Sequence, residues 1–148
     1  MIIAIFSDLH DNLKNWKKLN KFLKEKDIKT LLFAGDLTKQ STFKQIKKDF
    51  QHEIFFVSGN ADLFVSKELP ESRIIEIENT KIAISHFSSN FKKENNDYDF
   101  CFYGHTHKPW IKKHKNTYFI NPGSLDDPNF SSFALLNTNN KYINLQKL

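Results

Sequence analysis

The sequence predicts an α/β fold. Three observations carry that expectation: apolar runs of strand length recur along the chain, the first three are separated by segments of helical periodicity, and these runs are continuous rather than alternating, as in a parallel sheet covered on both faces. With 148 residues, 39% of them hydrophobic and 14% aromatic, the chain has enough apolar surface for one core, so a single domain over 1–148 is expected.

Residues 2–6 (IIAIF) form the first strand. Asp11 or Asn12 can cap a helix over about 12–26, where Leu13, Trp16, Leu19, Phe22 and Leu23 fall on one face. A second apolar run at 30–34 precedes a weaker helix near 41–51, with Phe43, Ile46 and Phe50 on one side, and 54–57 make a third strand. Beyond residue 70 the pattern changes to short runs at 73–78, 81–85, 99–103, 110–113, 117–120, 132–136 and 142–147, most of them strands divided by turn-like breaks. The polar segment 88–96 is expected to be a short helix and the most mobile part of the chain.

Composition narrows the function classes. Apolar runs reach only about six residues, far below a bilayer span. The first apolar run has no basic residue before it and no small-residue cleavage site after it, so no secretory signal is read and a cytoplasmic location is expected. Cys101, flanked by Phe100 and Phe102, reads as a buried small hydrophobe. A net charge of +5 invites an anionic partner, yet Arg73 is the sole Arg among 22 basic residues, and bidentate readers of bases and phosphates use Arg. Lysines at 14, 17, 18, 21, 24, 26, 44, 47 and 48 read as solvated helix faces, so nucleic acid is not the favoured partner. His52 and His114 are expected at the surface, and Trp110 in the core rather than stacked on a base.

The strand ends carry the chemistry. Successive apolar runs stop at Ser7-Asp8-Leu9-His10, Gly35-Asp36, Gly59-Asn60-Ala61-Asp62, Ser85-His86 and Gly104-His105-Thr106-His107. In open α/β sheets ligands bind beyond the carboxyl ends of strands, so clusters spread over a hundred residues can converge. Three of the four glycines open these clusters, where backbone must turn tightly. Asp8 with His10, and His105 with His107, are spaced i, i+2; in extended backbone that aims both side chains of a pair at one ion. Carboxylate, imidazole and Asn carbonyl suit Mn2+, Fe2+ or Zn2+, and a single Cys argues against a structural zinc. Seven candidate ligands exceed one ion's need; two ions about 3.5–4 Å apart, sharing a carboxylate, can clamp a phosphoryl transfer.

This set of motifs, in this order, resembles the calcineurin-like metallophosphoesterases over residues 1 to about 125. The likeness is to the small bacterial and archaeal phosphodiesterases in particular, because Asn121-Pro122-Gly123-Ser124 follows the last His pair. It implies a two-sheet β-sandwich flanked by helices, the four-layer αββα arrangement. It further implies that Asp8, His10 and His107 hold one metal, that Asn60, His86 and His105 hold the other, and that Asp36 bridges. A metal-bridging hydroxide would attack a small phosphate diester, with Asn60 also touching the phosphate, which makes Asp36 and Asn60 the catalytic candidates. Mn2+ is the expected metal, with Fe2+, Zn2+ and Ni2+ as alternatives. Asp62 is expected to support the site rather than bind metal, and Asn121, Gly123 and Ser124 either line the pocket or form a plain turn.

Two positions depart from the family pattern. Ala61 stands where large relatives have a His that helps protonate the leaving group or bind phosphate; small relatives often lack it too, so its absence implies dependence on good leaving groups or on acid supplied by metal-bound water rather than loss of activity. Phe87 stands where small relatives commonly have Gly, and its side chain should narrow the entrance to an otherwise open, shallow site; segment 87–98 is where substrate-recognition structure would have to fit. Two rival readings remain open: a metal-binding protein-interaction scaffold, as in a eukaryotic trafficking subunit of this fold, and a nuclease that holds a strand by its +5 charge. Oligomeric state is not legible.

Overall fold

The computed structural model describes residues 1–63, 67–91 and 97–148. The elements run β1 (Ile2–Phe6), α1 (Leu13–Glu25), β2 (Thr30–Phe33), α2 (Gln40–Asp49), β3 (Glu53–Phe56), β4 (Ser72–Ile77), β5 (Thr80–Ser85), a 3-10 turn (Ser88–Asn90), β6 (Phe100–Phe102), β7 (Trp110–His114), β8 (Thr117–Asn121), β9 (Ser132–Asn137) and β10 (Tyr142–Lys147). They form two mixed five-stranded sheets, in the orders β10-β9-β1-β2-β3 and β4-β5-β6-β8-β7.

In the first sheet, β1, β2 and β3 are parallel, with Ala4 beside Leu31 and Leu32 beside Phe55. The other side of β1 pairs antiparallel with β9, Ile3 opposite Leu136, and β10 extends that edge. The parallel reading therefore holds for the first three strands, while β9 runs against them and β10, antiparallel to β9, returns to their direction at the sheet edge.

Continuous apolar strands are explained by the two cores. Ala4 and Phe6 of β1 face Trp16, Leu19 and Leu23 of α1 and Phe43 and Ile46 of α2. Ile3 and Ile5, one residue out of phase, face Ile82 and Ile84 of β5 and Phe100 and Phe102 of β6 across the sandwich. A strand buried on both faces has no polar position to spare. Asn12, not Asp11, caps α1, its side chain accepting from the Asn15 amide. The Trp16 indole N–H donates to Asp49 Oδ2 at 2.9 Å and ties α1 to the end of α2. The nine lysines on and just beyond α1 and α2 are exposed, as expected.

Both helices lie on the outer face of the first sheet. On the outer face of the second, Ala83, Cys101 and Tyr103 are buried beneath Phe91, which follows the 3-10 turn. Of the short helix expected over 88–96, the described residues show the 3-10 turn Ser88–Asn90; residues 92–96 lie outside the described residues. Burial pushes the Cys101 thiol up to about 12, fitting its reading as a hydrophobe. Trp110 overturns its expectation: it lies on β7, an edge strand exposed along its whole length, and touches Tyr103 edge-on at 6.0 Å between ring centroids. Edge position rather than hydrophobicity decided its exposure. His52 and His114 are exposed as expected. Among the described residues, no helix is long and apolar enough to cross a membrane.

Candidate metal centre

The carboxyl ends of β1, β2, β3, β5 and β6 meet at one end of the sandwich, and each delivers one of the five polar clusters there. Asp8 and His10 follow β1, Asp36 follows β2, Asn60 follows β3, His86 follows β5, and His105 and His107 follow β6.

The backbone at these clusters is turned, not extended. Asp8, His10, Asp36, His105 and His107 have φ of 52°, 44°, 67°, 67° and 58°, all in the left-handed region. Such conformations cost on the order of 1–3 kcal/mol each and persist where the surroundings over-determine them. Here the Asp8 amide donates to the Gly35 carbonyl at 2.9 Å, and the Leu9 and His10 amides both donate to the Asp36 carbonyl. His105 and His107, expected from their i, i+2 spacing to aim at one ion, diverge instead, each toward a different group of candidate ligands.

One group gathers around Asp8. Its Oδ1 lies 3.0 Å from His107 Nε2 and 3.8 Å from His10 Nε2, and the two imidazole nitrogens are 3.4 Å apart. The other gathers around Asn60, whose Oδ1 lies 3.1 Å from His86 Nε2 and 3.0 Å from His105 Nδ1. Between them stands Asp36, its Oδ2 3.4 Å from His86 Nε2 and 3.7 Å from His10 Nε2. Donor atoms of Asp8, His10 and His107, and likewise of Asp8, Asp36 and His86, lie within 4.8 Å of one another.

The residues fit divalent cations. Asp8 Oδ1 is buried and makes no hydrogen bond, while Oδ2 accepts from the His105 amide at 3.1 Å. An orphaned carboxylate oxygen ringed by imidazole nitrogens is costly unless a cation satisfies it. Asp36 Oδ1 is committed to the Ala61 amide at 2.8 Å, which leaves Oδ2 for the centre. His86 Nδ1 lies 2.8 Å from the Ala34 carbonyl; donation there places the proton on Nδ1 and presents the Nε2 lone pair inward.

Without a cation these charges lean on one another. The Asp8 carboxylate raises the His10 pKa against a smaller burial penalty, helped by Asp36. Burial alone would lower His86, but Asp36 and the Ala34 carbonyl hold it above the ordinary value. Burial would raise Asp36, yet His86 and the Ala61 amide keep it below the ordinary carboxylate value.

A second set of residues braces the loops. Asp62, fully buried, accepts from the Asp36, Gly59 and Thr38 amides at 2.8 Å each, so it supports the site as expected. Buried Asn121 donates to the Gly104 carbonyl at 2.7 Å and to Thr106 Oγ1, and accepts from the Gly123 amide; the Ser124 hydroxyl donates to the Asp8 carbonyl. Asn-Pro-Gly-Ser is thus a brace beneath both His and Asp loops, a role its sequence left open. Two glycines are required by close approach: a Cβ on Gly59 would lie 2.7 Å from the Asp36 amide nitrogen, and one on Gly104 would lie 2.5 Å from Asp8 Oδ2.

The centre has a buried floor and an open rim. Asp8 and His86 are inaccessible and Asp36 is 2% exposed, whereas Asn60 and His105 are exposed and His10 and His107 are partly so. Half-buried Phe87 stands on this rim, its ring centroid 5.0 Å from His86 and 4.8 Å from His105.

Known proteins resemble this chain in sequence and in fold. The family model described as the calcineurin-like phosphoesterase superfamily domain matches residues 1–141. A probable metallophosphoesterase of Methanothermobacter thermautotrophicus is 28% identical over 147 residues, covering 92% of this chain and 84% of the relative. The solved structure of an archaeal phosphodiesterase superposes with a TM-score of 0.89 at 25% identity, covering 100% of both chains. Vps29 of Entamoeba histolytica complexed with zinc shares the fold, with a TM-score of 0.71 at 24% identity over 100% of this chain and 98% of its own.

Proposed function

The chain belongs to the calcineurin-like phosphoesterase superfamily, and from that premise we propose that it is a phosphodiesterase dependent on two divalent metal ions and acting on small phosphate diesters. The observation that carries this reading is the position of Asp36 Oδ2, within 3.7 Å of both His10 and His86 while Oδ1 is held by the Ala61 amide. That is where a carboxylate shared by two ions would stand.

Asp8, His10 and His107 would hold one ion, Asn60, His86 and His105 the other, with Asp36 between. When bound, such ions lower the proton affinity of water and withdraw charge from the phosphate, the two changes that ester hydrolysis needs near neutral pH. Mn2+ is the metal to try first; Fe2+, Zn2+ and Ni2+ suit the same oxygen and nitrogen donors.

The chain's own residues supply orientation. His86 is held in one tautomer by Ala34, and Asp36 keeps one oxygen on Ala61 so that the other cannot swing away. Asn60 directs Oδ1 at the two imidazoles, which leaves its amide nitrogen as the donor for a phosphate oxygen. Ala61 brings no acid, so the departing oxygen takes its proton from solvent and turnover falls as the leaving group becomes more basic.

Hydrolysis of bis(p-nitrophenyl) phosphate and p-nitrophenyl phosphate, with and without Mn2+, tests the proposal. Mn2+-dependent cleavage of the diester, lost in Asp36→Asn, is expected. No turnover from protein shown to bind metal would overturn it and favour the scaffold reading that the Vps29 fold likeness keeps in view. Activity that collapses with added salt on an oligonucleotide would point instead to a nuclease.

A further inference from the structure

The rim of the centre carries an apolar ring that metal binding does not use. Phe87 forms a three-ring cluster with His86 and His105: centroids are 5.0 Å from Phe87 to His86, 4.8 Å from Phe87 to His105 and 5.3 Å between the imidazoles, all in edge-on contact. His86 is buried and His105 exposed, so Phe87 stands at the step from floor to rim and keeps part of its ring open to solvent.

Its position is held from both sides in sequence. The Asn90 amide donates to the Phe87 carbonyl at 3.2 Å, and the Asn90 side chain donates to Ser85 Oγ at 2.7 Å, which closes the 3-10 turn over the end of β5. Phe91 at the far end of that turn is buried against Tyr103 and Phe119. A half-open aromatic ring that is fixed in place offers contact area without an ordering cost.

Resting on the phosphodiesterase reading, we propose that Phe87 determines specificity: it forms the apolar wall against which one ester group of the substrate lies, and it selects phosphate esters that carry a flat aromatic group over those with a small aliphatic one. Asn60 Oδ1 is 3.0 Å from His105 Nδ1 and the His105 ring is 4.8 Å from that of Phe87, so a phosphate ester bound by Asn60 would bring a group on that side to the Phe87 ring. Aromatic pairs prefer offset or edge-on contact and add to plain area burial, an effect of about three- to tenfold in affinity or kcat/KM.

Two readouts test this on the full-length, Mn2+-loaded protein. The first is calorimetric binding of phenylphosphonate against methylphosphonate, which needs no turnover. The second is the kcat/KM ratio for phenyl p-nitrophenyl phosphate over methyl p-nitrophenyl phosphate, which share a leaving group. In Phe87→Ala both ratios should fall about three- to tenfold from wild type, in Phe87→Leu they should fall similarly, and in Phe87→Tyr they should hold. Equal ratios in wild type and Phe87→Ala overturn the inference, as does full retention in Phe87→Leu, which would make the ring a mere filler. A phenylphosphonate preference without any diester turnover would refute the hydrolase reading while leaving this one standing; turnover without preference would do the reverse.

Discussion

Five of the seven candidate ligands adopt a left-handed backbone, and nothing in their residue types required it. Asp8 and His10 are held by amide hydrogen bonds to the Gly35 and Asp36 carbonyls, His105 by its amide hydrogen bond to Asp8 Oδ2, and Asp36 by buried Asp62, which also accepts from the Gly59 and Thr38 amides. Replacing Asp62 with asparagine keeps the shape but removes the charge, and one amide N–H would then face a donor. Asp62→Asn should lower Mn2+ affinity about 10- to 100-fold, read by competition with a metal indicator, although both Asp62 oxygens are spent on backbone amides. Cys101 offers a second check at this scale. Its thiol is buried and pushed up to about 12, so the folded protein at pH 8 should react with a disulfide reagent only after denaturant is added. The candidate ligands were legible in the sequence because Asp, His, Gly and Asn stand where apolar runs stop; the turned backbone was not, because it follows from hydrogen bonds between separate loops, such as the Asp8 amide to the Gly35 carbonyl and the Thr38 amide to Asp62.

Elements separate the two tryptophans. Trp16 repeats in phase with Leu19 and Leu23 on α1, is fully buried, and spends its one N–H on Asp49. Trp110 sits on an edge strand exposed throughout. Trp16→Phe should cost about 1 kcal/mol in urea unfolding, the worth of one hydrogen bond and a partial void, whereas Trp110→Ala should change stability by no more than about 0.5 kcal/mol. A large loss at Trp110 would show that this edge is covered in solution. Helices and parallel strands were legible because their periods differ, 3.6 against a continuous run. Strands β9 and β10 were readable as strands, but not that β9 pairs with β1 and β10 with β9, since an apolar run carries no record of which neighbour it meets or in which direction.

At the scale of the whole molecule, a metal bound as proposed would compete with protons for one cluster. In the metal-free protein His10 and His86 are raised, so their contribution to stability is whole below the unfolded value near 6.5 and fades as pH rises through the higher folded value. Asp36 is lowered, so its contribution is present above the unfolded value near 3.8 and is lost as pH falls through the lower folded one. The metal-free form is therefore best served by mildly acidic pH, where the imidazoles are least available as ligands. Added Mn2+ should raise Tm, and the rise should grow from pH 6 to pH 8 and vanish with chelator. A rise independent of pH would place the metal elsewhere.

Strand ends, helix phases and the order of five polar clusters were determined by the sequence alone, because burial and turning are local demands that each residue type meets or fails. That order was enough to indicate the family and the two ligand groups. Tertiary structure decided the rest: which oxygen of Asp8 is left without a partner, which tautomer His86 presents, that His105 and His107 part company, and that Phe87 stands on the rim. Each depends on a contact between segments tens of residues apart, and only the closing of two sheets brings those segments within hydrogen-bonding distance.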